Sequence, residues 1–260
     1  MVEPRVVPVP QWQDNYAYLV VNDDRKEAFV VDPADAGPIL AEVERQGVAL
    51  TAVLNTHHHP DHCHANEDVA AATGAKVYGS AVDADRLPGL DVPLEPGRSV
   101  ELNGLTVEVL LVPGHTTGHV GYKIGDDLFT GDTLFIAGCG RLFEGTAADM
   151  YASLNEIFGG LPDRTRVWCG HEYTESNLKF ASTLEPGNDA LNARIESARA
   201  QRAAGEPTVP STIGDEKTFN PFLRVDSPEL IESVVKQKPD TQADDPVSVL
   251  AAVRALKDAF

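Results

Sequence analysis

Basic side chains are scarce in this chain: 21 Lys and Arg stand against 40 Asp and Glu in 260 residues, a formal net charge of −19. Nucleic-acid binding and docking on anionic membranes both need Lys and Arg to meet phosphate charge, so neither partner is expected. Long apolar runs are missing too. No stretch approaches the roughly 18 residues of a membrane helix. The segment Met1 to Pro10, with one Arg and three Pro, lacks an apolar signal core. Cysteine is sparse: Cys63, Cys139 and Cys169 form no C-x-x-C pair and leave one thiol over. That argues against a disulfide framework and for a reducing cytoplasm. No G-x-S-x-G nucleophile elbow, internal repeat or low-complexity tract is present.

What is there is a folded chain, with 42% apolar and 7% aromatic residues. Segments 16–21, 27–32 and 50–55 read as strands from their β-branched and aromatic content. Residues 38–46 and 66–73 read as helices stopped by Gly47 and Gly74. Asn103-Gly104 marks a hairpin joining 99–102 to 105–112, and Gly125-Asp126 a second joining 119–124 to 127–130. A helix is expected over 147–158 and a strand over 165–169. Beyond 172 the pattern turns helical (174–184, 188–204, 227–237, 245–259) with no clear strand. The charge changes there as well. Residues 1–172 carry 26 acids and 11 bases, and residues 173–260 carry 14 and 10. Two domains, 1–172 and 173–260, are expected.

The eight histidines fall in three places: five at 57–64, two at 115 and 119, and one at 171. Core histidines would scatter, so metal chemistry is the leading explanation. In Thr56-His57-His58-His59-Pro60-Asp61-His62, side chains at i and i+2 of an extended segment share a face. His57 and His59 can grip one cation while His58 points away. Asp61 and His62 lie just beyond, placed for a second. Pro113-Gly114-His115, Thr130-Gly131-Asp132 and Cys169-Gly170-His171 each follow a strand, where loops converge. His119 is read as structural or as a support behind the ligands, and His64 as exposed.

THHHPDH resembles the T-H-x-H-x-D-H signature of the metallo-β-lactamase superfamily. PGHTTGH, FTGDTLFIAGCGRLFEGT, WCGHEYT, LKFASTLEPGN, GEPTVPST and KTFNPFLRV resemble the glyoxalase II (hydroxyacylglutathione hydrolase) family, from about residue 14 to the C-terminus. The resemblance implies an α/β fold, an αββα sandwich followed by a small all-helical domain. It implies metal 1 at His57, His59 and His115, metal 2 at Asp61, His62 and His171, and Asp132 bridging both. Asp32 is similar to a family carboxylate that orients a ligand histidine. Arg141, Phe143, Tyr173, Arg254 and Lys257 stand at the family's glutathione contacts. Arg141 replaces the Lys of the animal enzymes and Phe143 their Tyr. Cys63-His64-Ala65 departs from the Gly pair common after Asp-His.

The resemblance implies hydrolysis of S-D-lactoylglutathione to D-lactate and glutathione, the second step of methylglyoxal detoxification; a cytoplasmic monomer is expected. Two divalent ions, zinc first with iron or manganese also suited, lower the pKa of bridging water from about 15.7 toward about 7. Asp61 and Asp132 are the carboxylates expected at the reaction. A thiolate whose conjugate acid has a pKa of roughly 8.5 leaves with little acid help. A mono-iron persulfide dioxygenase using His57, His115 and Asp132 is the alternative, as is another hydrolase of the same fold.

Overall fold

The computed structural model describes residues 3–260. The chain forms two compact units. One runs to Leu111 and takes in Gly118–Gly131; the other comprises Val112–Thr117 and Asp132–Phe260.

In the first unit, β1 (Arg5–Gln11), β2 (Asn15–Asn22), β3 (Glu27–Val31), β4 (Ala49–Asn55), β5 (Lys76–Ser80) and β6 (Val92–Leu94) make one sheet in chain order. The first three are antiparallel, and β3 to β6 run parallel. Parallel neighbours need crossovers. The helices α1 (Ala36–Gln46) and α3 (Asn66–Thr73) provide two of them. Asp35 caps α1 by accepting from the Gly37 N–H, and Gly47 ends it at φ 63°. The sheet's alternation sets its two faces. Ala17, Leu19, Val21, Val30, Val53 and Val77 pack with Ile39 and Val69 of the two helices. On the opposite face the Tyr18 ring meets Phe129, centroids 5.5 Å apart.

Phe129 belongs to a four-stranded antiparallel meander: β7 (Ser99–Leu102), β8 (Leu105–Leu111), β9 (Val120–Ile124) and β10 (Asp127–Gly131). Asn103 and Gly104 turn at φ 55° and 76°, the left-handed pair a two-residue hairpin needs. β3 and β4 end side by side, at Asp32 and at Asn55-Thr56-His57. The histidine loop, with the one-turn helix α2 (Pro60–Cys63), therefore leaves from the carboxyl ends of parallel strands.

The second unit opens with the two-stranded ribbon β11 (Leu134–Phe135) and β12 (Gly138–Cys139). Next comes α4 (Ala147–Tyr151), extended by a π-helical stretch over Ala152–Phe158. β13 (Arg166–Cys169) pairs antiparallel with β14 (Ser211–Thr212). β14 corrects the expectation that no strand follows residue 172; two residues carry no periodicity to read. The remaining helices are α5 (Thr174–Leu184), α6 (Asp189–Ala203), α7 (Ile213–Phe219), α8 (Pro228–Gln237) and α9 (Pro246–Ala259). Asn188, Thr212, Ser227 and Asp245 cap the last four through their side chains. Both oxygens of Glu185, just past α5, accept from Arg224 at 2.8 and 2.9 Å. No helix among the described residues is long and apolar enough to cross a membrane.

Candidate functional site

In the first unit the site is built around Asp32. It sits at φ 55°, a left-handed conformation that Asp tolerates better than most residues. Its carboxylate accepts from the Thr56 backbone N–H and the Thr56 hydroxyl, both at 2.7 Å, and from His62 Nδ1 at 3.0 Å. The Thr56 hydroxyl spends its proton on Asp32, so its lone pair accepts from His57 Nδ1 at 3.1 Å. One buried carboxylate thereby fixes two imidazoles, and each presents Nε2 outward. His57 Nε2 and His59 Nδ1 converge to 3.1 Å. His62 Nε2 lies 3.6 Å from Asp61 Oδ2, which also accepts from Asn15 Nδ2 at 3.1 Å.

His58 turns to the fully buried Asp83, 3.1 Å from its Nδ1, and Arg86 approaches the far nitrogen. His119 is buried and stacks on His57 at 4.6 Å, with 20° between the planes. Gly131 is required beneath them: a Cβ would come within 2.4 Å of Thr56 Oγ1 and 2.8 Å of His119 Nε2. His64 is exposed beside Trp12. Cys63 is buried with its thiol donating to the His58 and His59 carbonyls, and burial pushes its pKa up to about 12. Cys139 and Cys169 are buried too, and none of the three is in a disulfide.

In the second unit, His115 Nδ1 donates to the Arg141 carbonyl at 2.9 Å, which turns Nε2 toward Asp132 Oδ2 at 3.6 Å. His171 Nε2 reaches the same oxygen at 3.3 Å. Gly140 passes so close that a Cβ there would sit 2.0 Å from the Asp132 carbonyl. Tyr173 stacks on His171 at 4.6 Å, nearly parallel, and meets Phe135 edge-on. Phe143, 62% exposed, stands edge-on to His115 at 5.2 Å.

A pocket of about 530 Å³ opens here, lined by His115, Asp132, Arg141, Phe143, Tyr173 and Lys257 among others. Arg141 extends into solvent, its Nε 3.8 Å from Asp258. Lys257 donates to the Ser176 carbonyl at 3.2 Å and lies over the Phe180 and Phe260 rings. Burial, then the charges of Arg254 and Arg141, lower its pKa to about 8. Arg254 also lines the pocket but is only 5% exposed. It donates to the Cys139 carbonyl at 2.8 Å and pairs with Asp258 at 3.0 Å. Sequence reasoning missed Ser176, Asn177 and Phe260 as lining residues. They carry no motif, and only helix packing brings them to the pocket.

The donor chemistry suits divalent cations. His62 Nε2 lies 3.6 Å from an Asp61 carboxylate oxygen, and His115 Nε2 lies 3.6 Å from one of Asp132. Imidazole nitrogens and carboxylate oxygens are the ligands that zinc and similar divalent cations take. All seven residues (His57, His59, Asp61, His62, His115, Asp132 and His171) belong to His/Asp groups able to hold a metal ion.

Comparison with known proteins agrees. Residues 11–171 match the metallo-beta-lactamase superfamily, and residues 172–260 match the hydroxyacylglutathione hydrolase C-terminus. The chain is 49% identical to a hydroxyacylglutathione hydrolase of Synechococcus sp. (strain JA-2-3B'a(2-13)), covering 98% of this chain and 100% of the relative. It is 45% identical to that of Methylococcus capsulatus, covering 98% of each. Among solved structures, ETHE1 from Myxococcus xanthus aligns with a TM-score of 0.66 at 26% identity, covering 99% of both chains. TTHA1623, solved in a di-iron-bound form, aligns with 0.59 at 27% identity, covering 84% of this chain and all of the other.

Proposed function

The chain belongs to the hydroxyacylglutathione hydrolase family of the metallo-beta-lactamase superfamily, and from that premise we propose that it hydrolyses S-(2-hydroxyacyl)glutathione thioesters, S-D-lactoylglutathione first among them. The carrying observation is the oriented donor set: Asp32 sets His62 and, through Thr56, His57, while the Arg141 carbonyl sets His115. In this reading His57, His59 and His115 would hold one ion, Asp61, His62 and His171 would hold a second, and Asp132 would serve both. The di-iron form of one relative supports a two-ion site.

Bound cations would supply a hydroxide nucleophile at neutral pH and a sink for oxyanion charge. The rest falls to the protein. Asp61, held by Asn15, orients the attacking group as well as serving as a ligand. Lys257 and Arg141 offer positive charge to an anionic glutathione, and Tyr173 and Phe143 wall the pocket. Arg254 is assigned to the same end of the substrate. The thiolate product needs no strong acid, and no Ser or Cys nucleophile is required. The mono-iron dioxygenase alternative would leave the Asp61–His62 pair, oriented by Asn15 and Asp32, without a role.

The domains are read as catalytic, 1–172, and substrate-binding, 173–260, in keeping with the two family matches. Three buried thiols, none of them in a disulfide, favour the cytoplasm. The test is release of free thiol from S-D-lactoylglutathione by protein loaded in parallel with zinc, iron or manganese. No turnover with two equivalents of metal bound would overturn the reading.

A further inference from the structure

The motif KTFNPF and the buried carboxyl before it, Glu216, have no part in the chemistry above. Both act on the ribbon β11–β12. The four residues at its tip, Phe135 to Gly138, are buried, and their backbone groups are met by side chains. The Asn220 amide directs its hydrogens to the Phe135 and Gly138 carbonyls, both at 3.1 Å, and to Glu216 Oε2 at 2.9 Å. Glu216 Oε2 accepts from the Ala137 N–H at 2.9 Å. Ala137 sits at φ 55°, a conformation unfavourable for alanine and held here by that hydrogen bond. Asn220 is itself oriented by the Phe222 N–H, which donates to its Oδ1 at 3.0 Å.

The ribbon's two ends carry the metal-site groups of the second unit. Asp132 lies two residues before β11. Arg141, whose carbonyl sets the His115 tautomer, lies two residues after β12. Between them, the Gly140 N–H meets the Thr133 carbonyl at 3.4 Å. Anything that fixes the tip therefore fixes the Asp132 carboxylate relative to the His115 and His171 nitrogens.

We propose that Asn220 and Glu216 are positioning residues for the reaction: they clamp the ribbon so that Asp132 and the Arg141 carbonyl stand in register with His115 and His171. The proposal rests on the hydrolase reading above and adds to it two residues that touch neither substrate nor metal. A misplacement of about 1 Å at a reacting group can cost roughly a hundredfold in rate.

The experiment compares Asn220→Ala and Glu216→Gln with wild type. It reads kcat and KM for S-D-lactoylglutathione, metal content after dialysis against a mild chelator, and the circular dichroism spectrum. Asn220→Ala should stay folded, lose about tenfold or more in kcat with KM within about twofold, and retain less metal than wild type. Glu216→Gln keeps an oxygen for Ala137 and Asn220 and should stay near wild type on every readout. A folded Asn220→Ala with unchanged kcat and metal content overturns the proposal. So does a loss of thermal stability alone.

Should Asn220→Ala not fold, Glu216→Ala carries the same expectation at smaller size. If neither folds, the pair serves folding only and the positioning role is overturned. Should wild type itself fail to cleave the thioester, the hydrolase reading fails. The metal-content arm still decides whether the clamp orders Asp132.

Discussion

Asp32 accepts three hydrogen bonds, and two histidine orientations hang on it. Asp32→Asn puts an amide where Oδ2 accepted from Thr56 and His62. Metal affinity should fall about 10- to 100-fold in a chelator competition; an unchanged value would remove Asp32 from the site's support. Lys257 and Arg254 share a helix face but differ in surroundings. Lys257, with a pKa of about 8, is cationic below that pH and loses its charge above it. KM for an anionic thioester should therefore rise as pH passes about 8, and Lys257→Met should raise KM at neutrality and flatten the dependence. Arg254→Ala should raise KM as well, but it also leaves the Cys139 carbonyl without its buried donor. A stability loss of roughly 2–4 kcal/mol should accompany it in denaturant titration, and none should accompany Lys257→Met.

At the scale of elements, the short ribbon β11–β12 is worth more to the site than its four paired residues suggest. Gly140 follows it at a distance from Asp132 that no Cβ fits. Gly140→Ala should lower bound metal and thermal stability together, measured on one purified sample; a normal metal content would refute the close approach. The helix α7 carries Glu216, whose pKa burial raises from 4.5 to about 7 against the pull of Ser211, Ala137 and Asn220. The folded state thus holds this proton at pH values where the unfolded chain has released it. Its contribution is complete below about pH 4.5 and is lost as pH climbs through about 7, a change of about 3 kcal/mol. Unfolding free energies of wild type minus Glu216→Gln, between pH 4 and 8, should decline by that order. The long elements were legible because their signals are local: Gly47 and Gly74 as helix stops, Asn103-Gly104 and Gly125-Asp126 as turns. β1 was not, because Pro8 and Pro10 argue against a strand. As an edge strand paired only with β2 it tolerates them. The shortest strands and α7 span too few residues to show a period.

For the whole molecule, metal and fold should be coupled. An ion that binds the folded state and not the unfolded chain stabilises the fold, and at a thousandfold its Kd it adds about 4 kcal/mol. Chelation should lower Tm reversibly by several degrees, with recovery on adding back zinc, iron or manganese; an unchanged Tm would dissociate the ions from folding. The charge of −19 is mostly surface, but Asp61 and Asp132 belong to His/Asp groups that could hold a metal ion, and Arg141 and Lys257 place local positive charge at the pocket. The sequence by itself determined the candidate metal-binding residues, their order and the family, because ligand chemistry demands particular side chains at short, fixed spacings that survive in one dimension. Only the tertiary structure decided which way those side chains face. The tautomer of His115 depends on a carbonyl 26 residues away, that of His62 on a carboxylate 30 residues away, and the ribbon's shape on an amide more than 80 residues away. Hydrogen bonds of that span leave no periodicity in the chain. They exist only once packing has brought their partners together.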